Sequence, residues 1–315
     1  MRLYTGTMKH YKYWLALEQS RGMGPAHLKE IYDSLSGLGL SIIDLFSLTP
    51  AEIKNELALK EPVIEAIAHA AKKLPMIEEE CCTLLESGIE MLLFFEEQYP
   101  FRLARLMKSS MPPILYLYGN REILNTRGAA VLGDSNVSGK GEVITYLAAK
   151  ELVRHRIAVI SGFARGADLI AHRAALENGG DTIAVLPYGF AHLKVPGILH
   201  DVFNPQNMLL VSQFSYGREY TQFNAMQRNK LACALSHAAF IVEAPTEGGI
   251  FEAGKSARNL AIPLYVTEYS SYPESAAGNA ALIRDFGALP VRGRMINNTL
   301  SPNLDRLIAD IKFGP

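Results

Sequence analysis

The sequence predicts an α/β protein with a mostly parallel, doubly wound sheet behind a small N-terminal all-helical domain. Two observations carry this. From Ala129 onward, short apolar runs alternate with amphipathic helical stretches, the pattern of strands buried on both faces and connected by helices. Residues 10–75 instead keep apolar residues at spacings of three and four, without strand-like runs.

Taken in order, the helical stretch reads YWLALEQS, AHLKEIYDSL, SIIDLFSL and PVIEAIAHAAKKL. Gly22, Gly24 and Pro25 break the first helix from the second, and Pro25 suits a first helical turn. Thr49 before Pro50 is expected to be an N-cap. Short helices joined by GMGP resemble a helix-hairpin-helix (SAM-like) module, whose glycine turn offers N–H groups to a phosphate; a plain packing bundle reads the same way. Residues 76–128 form a transition: a strand over Gly88–Phe95, a short helix FRLARLM, and a strand ILYLYG. The domain boundary is expected at 78/79, giving 1–78 and 79–315.

After Ala129 the strands are AAVLG, IAVISG, TIAVLPYG, MLLVSQF, AAFIVEA and, as the last clear one, IPLYVTE. Helices are expected at 141–155 and over ADLIAHRAALENG. Right-handed crossovers make such a pattern doubly wound and Rossmann-like, with ligands beyond the carboxyl ends of the strands. No repeat or low-complexity tract interrupts it.

Composition limits the partners. The 315 residues carry 31 Lys and Arg against 32 Asp and Glu, so a nucleic acid has to be held by a local patch. Residues 127–175 supply a mild one, with seven Lys/Arg and four Asp/Glu. Cys81, Cys82 and Cys233 lack zinc spacing and read as free thiols of a reducing cytoplasm. No secretion signal or membrane span is expected, and neither a metal nor a cofactor.

Four loops following strands carry the candidate chemistry. The first holds Gly133, Ser135, Ser138 and Lys140 ahead of a helix, a geometry that favours an anion. The second is SGFARGAD, with Ser161, Gly162, Arg165, Gly166 and Asp168. Its Arg165 can fork onto a phosphate, and its Asp168 can orient neighbouring donors. His172 beyond it reads as structural. The third holds Arg228, Asn229 and Lys230, a contact set for phosphate or base. The fourth holds Gly248 and Gly249, again before a helix. Phe163, Tyr188 and Phe190 are aromatic candidates for stacking, although core is their commoner role.

In this order the loops resemble the DprA/Smf (DNA-processing protein A) family. GDSNVSGKG, SGFARGADLIAH, TIAVLPYG, VSQF with QRNKLACALS, IVEAPTEGG and GNAALIRDFGAL are similar to the family's successive motifs, over about residues 95–290. The resemblance implies a protein that binds and protects single-stranded DNA and loads the RecA recombinase on it in natural transformation. It implies no enzyme activity in that role, and dimerisation through the Rossmann-like domain. Arg165 would be the DNA-contacting arginine, Gly162, Gly166 and Asp168 would shape its loop, and Arg228, Asn229 and Lys230 would flank the strand. The chain departs from the family in three places. Ser135, beside Asp134, stands where the family has an arginine. GGIFEAG replaces its Ser-Gly turn. Its winged-helix-like tail is expected to be lacking.

A second reading is a nucleotide-binding or phosphoribohydrolase-like protein of the same wider superfamily, or a nucleotide sensor. PTEGGIFEAG partly echoes such enzymes, with Glu252 as the candidate catalytic carboxylate. A third reading is an interaction protein that has lost DNA binding, motivated by Ser135 and the expected absence of the tail.

Overall fold

A computed structural model describes residues 4–296 and 299–314. The chain forms two compact units, one running through Tyr99 with Lys108–Tyr116 added, the other Pro100–Met107 with Leu117 onward.

The first unit holds α1 (Tyr4–Glu18), α2 (Pro25–Leu38), α3 (Ile42–Leu45), α4 (Pro50–Leu57), α5 (Glu61–Glu86) and strand β1 (Glu90–Leu93). Pro25 opens α2 as expected. Thr49 caps α4 reciprocally: Glu52 N donates to its Oγ1, and Thr49 N donates to Glu52 Oε2 at 2.7 Å. Two expectations are corrected. The boundary at 78/79 falls inside α5, which runs on through Pro75 to Glu86. Pro75 removes one helical N–H, but Pro75 and Ala71, whose carbonyl loses that donor, are both exposed, so water can replace the bond. Buried Ile77, Cys81 and Leu84 extend the inner stripe of the helix. The strand expected to Phe95 stops at Leu93, because Phe94 and Phe95 turn to pack on Trp14 and Tyr32. Tyr32 and Phe95 stack with centroids 4.5 Å apart.

The second unit begins with α6 (Phe101–Met107) and the end of β2 (Ile114–Gly119). There follow β3 (Gly128–Leu132), α7 (Gly139–Arg154), β4 (Ala158–Ser161), α8 (Ala167–Glu177), β5 (Thr182–Leu186), β6 (Met208–Ser212), α9 (Gln222–Leu235), β7 (Ala238–Ile241), α10 (Gly249–Asn259) and β8 (Leu264–Thr267). The sequence reading stops here, and the structure adds α11 (Asn279–Phe286), β9 (Leu289–Val291), the antiparallel pair β10 (Gly293–Ile296) and β11 (Thr299–Pro302), and α12 (Asp305–Phe313). These late strands are too short for a periodic signal, and β9 contains a proline.

The sheet order within this unit is β6-β5-β4-β3-β7-β8-β9, and every pairing along it is parallel. Helices α7 and α8 pack on each other, as do α9 and α10, and α7 and α9 lie over the same strands β3 and β4. The two pairs therefore cover opposite faces. Ala148, Ala149, Ala171, Ala174 and Ala175 let α7 and α8 sit close to the sheet, where Val131, Val159 and Phe240 meet them. The chain steps outward from β3 to β6, then returns to place β7 on the other side of β3. That reversal is the switch point at which open α/β sheets form a crevice.

Candidate functional site

Three of the four predicted loops follow β3, β4 and β7 at the carboxyl edge of the sheet, while the third in order, residues 227–230, is not a loop but lies inside α9; the predicted residues divide sharply between interior and surface. The loop after β4 shows the division best. Asp168 opens α8, is 1% exposed and collects donors from three directions. Ser161 Oγ donates at 3.0 Å, Ala164 N at 3.2 Å and Arg228 Nη1 at 2.7 Å. Gly162 is required beneath this pair, since a Cβ there would overlap the Arg228 guanidinium. Gly166 has φ +74°, and a Cβ on it would lie 2.6 Å from the carbonyl oxygens of Asp134 and Ser135, so it also lets the two loops touch. His172, fully buried, bonds Gly162 O at 2.6 Å and Thr182 Oγ1 at 2.7 Å. The carbonyl can only accept, so Nε2 carries the proton; the Thr182 hydroxyl that faces Nδ1 donates to Val159 O at 2.7 Å. Burial lowers the pKa of His172 to about 4, which keeps it neutral and structural, as expected.

Arg165, at the tip of the same loop, is exposed. It makes no hydrogen bond or ion pair with any described residue, and the N-terminus of α8 begins two residues on. A cation held by a rigid loop beside a helix N-terminus is an anion contact ready to form.

The sequence reading of α9 is corrected. Arg228 and Asn229 do not flank a bound strand; they are 4% and 3% exposed. Arg228 is the partner of Asp168, and Asn229 Nδ2 donates to Gly249 O at 3.0 Å, tying α9 to the start of α10. Lys230 is half-buried. Gly249 is thereby part of that tie, while Gly248 stands exposed at φ +104°.

The loop after β3 is corrected too. The helix terminus expected to receive an external anion already holds an internal one. The carboxylate of Glu243, just past β7, accepts from Ser138 N (2.8 Å), Ser138 Oγ (2.6 Å), Tyr269 Oη (2.7 Å) and Ser275 Oγ (2.6 Å). Glu243 is completely buried, and charge-assisted bonds of this number offset its desolvation. Ser138 also caps α7, accepting from Gly141 N at 3.1 Å. Gly133 packs against Ala167, where a Cβ would come within 2.6 Å. Ser135 and Lys140 remain exposed, with Lys140 Nζ 5.0 Å from the Tyr269 ring centroid.

Of the stacking candidates, Phe163 and Phe190 are core and Tyr188 is half-buried. The exposed aromatics of this edge are Tyr220 and Phe223, in the connection from β6 into α9. The sequence reading passed over these two, and it also passed over Asn279. Buried Asn279 accepts from Ala244 N and donates to the carbonyls of Val242 and Thr267, pinning the ends of β7 and β8 together. Its signal was the GNAALI motif, in which a polar residue opens an apolar helix. Glu252 forms an ion pair with Lys255 at 2.6 Å. All three cysteines are free. Among the described residues no His, Cys, Asp or Glu group is arranged to hold a metal, and no helix is long and apolar enough to cross a membrane.

Fold and site together define a doubly wound α/β protein whose switch-point crevice is closed by its own glutamate, with its free cations on the adjoining loops. The model of the DNA recombination-mediator protein A family matches residues 90–299, and the chain belongs to that family. Among curated relatives, protein Smf of Synechocystis sp. is 25% identical over 87% of this chain and 68% of its own length. The putative DNA processing protein DprA of Mycobacterium tuberculosis is 32% identical over 58% of this chain and 47% of its own length. The chain thus spans about half to two thirds of these relatives. The solved structure of DNA processing protein A from Streptococcus pneumoniae is similar with a TM-score of 0.73, at 20% identity, over 89% of this chain and 94% of that one. DNA processing protein A of Helicobacter pylori, whose structure concerns its single-stranded DNA binding mode, matches with a TM-score of 0.55, at 22% identity, over 64% of this chain and 90% of that one.

Proposed function

We propose that this protein binds and protects single-stranded DNA along the carboxyl edge of its second unit, and acts in DNA uptake and recombination by passing the strand to a RecA-class recombinase. The observation that carries the reading is Arg165. An exposed guanidinium, unpaired among the described residues, stands on a loop that two glycines and a buried ion pair hold from beneath. Lys140 adds a second cation, Ser135 a hydroxyl, and the glycine turn at Gly248 further backbone donors. Tyr220 and Phe223 supply exposed rings on which bases can stack. Family membership supports the same reading, as does the binding mode of the Helicobacter pylori relative. Ser135 in place of an arginine lowers the expected number of phosphate contacts, so affinity should fall less steeply with salt than in a relative that has the arginine. Assembly as a homodimer through the second unit, in the cytoplasm, completes the proposal.

The test is fluorescence anisotropy of a ~20-nucleotide single strand across a salt series, for the wild type and Arg165→Ala. Tight, salt-sensitive binding that prefers single strands to duplex and weakens in the variant is expected. A folded wild-type protein that ignores the strand at low salt would sink the reading.

A further inference from the structure

The amino edge of the sheet, opposite the loops described above, carries a second group of cations, all in the second unit. Arg102 lies on α6, and its Nε donates to Ser236 O, the C-cap of α9, at 2.9 Å. Arg127 stands just before β3 and bonds through Nη1 to Ile311 O in the last turn of α12. His237 N donates to Gly128 O at 2.8 Å, so the residues before these two, Ser236 and Arg127, sit about one strand spacing apart, ~4.8 Å. Burial, and then the charges of Arg105 and Arg127, lower the pKa of Arg102. Burial, and then Arg102 and Arg127, do the same to His237. Arg105 and Arg127 are exposed, and no carboxylate among the described residues is paired with either.

Capping explains part of this arrangement, because guanidiniums suit the orphan carbonyls at helix C-termini. Each helix end supplies only about half a negative charge, so about two of the three positive charges remain. Arg105 makes no hydrogen bond or ion pair with a described residue and caps nothing. The rings around the group are also unexplained by capping. Phe313 at 86% and Phe101 at 80% are the most exposed large apolar side chains among the described residues. Phe101 precedes Arg102 and lies one turn from Arg105 on α6. Phe313 is two residues beyond the carbonyl that holds Arg127.

We infer that the amino edge of the second unit is a second contact for the single strand, with phosphates at Arg105 and Arg127 and bases on Phe101 and Phe313. The choice of a nucleic acid rests on the DNA-binding reading above. Within that reading the chemistry is selective. A single strand brings a charge and a flat face in every unit, which matches guanidiniums interleaved with rings. An acidic peptide brings the charge without the flat faces. Length is no obstacle: β3 has five residues, so the two edges are ~17 Å apart along it. A ~20-nucleotide strand is ~70 Å long at 3.4 Å per nucleotide and can reach both.

The experiment uses the full chain and a fluorescent ~20-nucleotide oligothymidylate, read by anisotropy across a salt series. Arg105→Ala should reduce the slope of log affinity against log salt by about 0.7, one phosphate on a single strand, and Arg105→Lys should keep it. Phe101→Ala should weaken binding roughly 5-fold or more with the slope unchanged. Both side chains are exposed, so urea unfolding of these variants should match the wild type. If Arg165→Ala weakens binding while Arg105→Ala and Phe101→Ala bind as the wild type does, the amino-edge site is overturned and the carboxyl-edge reading stands. If Arg105→Ala and Phe101→Ala weaken the strand and Arg165→Ala does not, the amino-edge site stands and the carboxyl-edge reading fails. A wild type that ignores the strand at low salt overturns both. A fluorescent poly-glutamate that binds more tightly than the strand, and is released by Arg105→Ala, overturns the proposal in favour of an acidic protein segment.

Discussion

Arg165 and Arg228 both belong to motifs that a reader of the sequence would give to the same task, yet the fold gives them opposite ones. Arg228 lies under the loop after β4, locked to Asp168 and out of reach of solvent. Arg165 stands exposed on top of that loop, without a hydrogen bond or ion pair to any described residue. The same contrast recurs at the switch point, where Glu243 fills the crevice from below and Ser135 and Lys140 face outward. Most of the motif is thus spent on holding a loop still. The buried polar residues restrict where the exposed cation can be, which is how a rigid support improves a contact it does not make.

Breaking the underside should have the largest effect. Arg228→Met leaves Asp168 buried without its ionic partner, and Asp168→Asn does the reverse. Each should cost about 3–5 kcal/mol in urea unfolding. The double variant should cost less than the sum, because the lone buried charge is then gone. A single variant losing under ~1 kcal/mol would show that the pair is not a support.

Acid should act on the same layer through His172. Its pKa is lowered from 6.5 to about 4 in the folded protein, so between these values the unfolded chain binds the extra proton. Stability is therefore full above about pH 6.5 and falls as pH drops toward 4, by on the order of 3 kcal/mol for a fully buried imidazole. His237, also lowered to about 4 by burial beside Arg102 and Arg127, adds a smaller share in the same window because it is only partly buried. Unfolding of His172→Gln followed from pH 7 to 4 should show a flatter loss. An unchanged slope would remove His172 from the account.

Ser138→Ala separates the two jobs of one hydroxyl. It removes the cap of α7 and one of four donors to Glu243, for an expected loss of about 1–2 kcal/mol by thermal or urea melt.

Much of this layering was legible in the sequence, and the reason for the remainder is physical. The strands were readable because each is an unbroken apolar run. Thr49, Pro25 and the glycine-bounded loops were readable because caps and turns demand particular residues. What the sequence could not supply was direction. QRNK presents two cations and two amides in one turn, and only the packing of α9 on the sheet decides that Arg228 points inward, to Asp168. Glu243 looked like the polar end of a strand, since its four donors come from residues as far apart as Ser138 and Ser275. The continuation of α5 through Pro75 was hidden for a related reason. A proline stops a helix when its lost bond is buried, and at an exposed position water can replace the bond.

The smallest effect on stability belongs to the residue expected to matter most for binding. Arg165 makes no hydrogen bond or ion pair with a described residue, so Arg165→Ala should change unfolding free energy by less than ~0.5 kcal/mol. The same substitution should lower affinity for a single strand and reduce the slope of log affinity against log salt by about 0.7, the contribution of one phosphate on a single strand. The pair of measurements sharpens the contrast with Arg228, whose loss should reduce stability first and binding only as a consequence. If Arg165→Ala binds the strand with an unchanged slope, the phosphate lies elsewhere on this edge. The exposed Lys140 would then be the next side chain to neutralise, read by the same salt series.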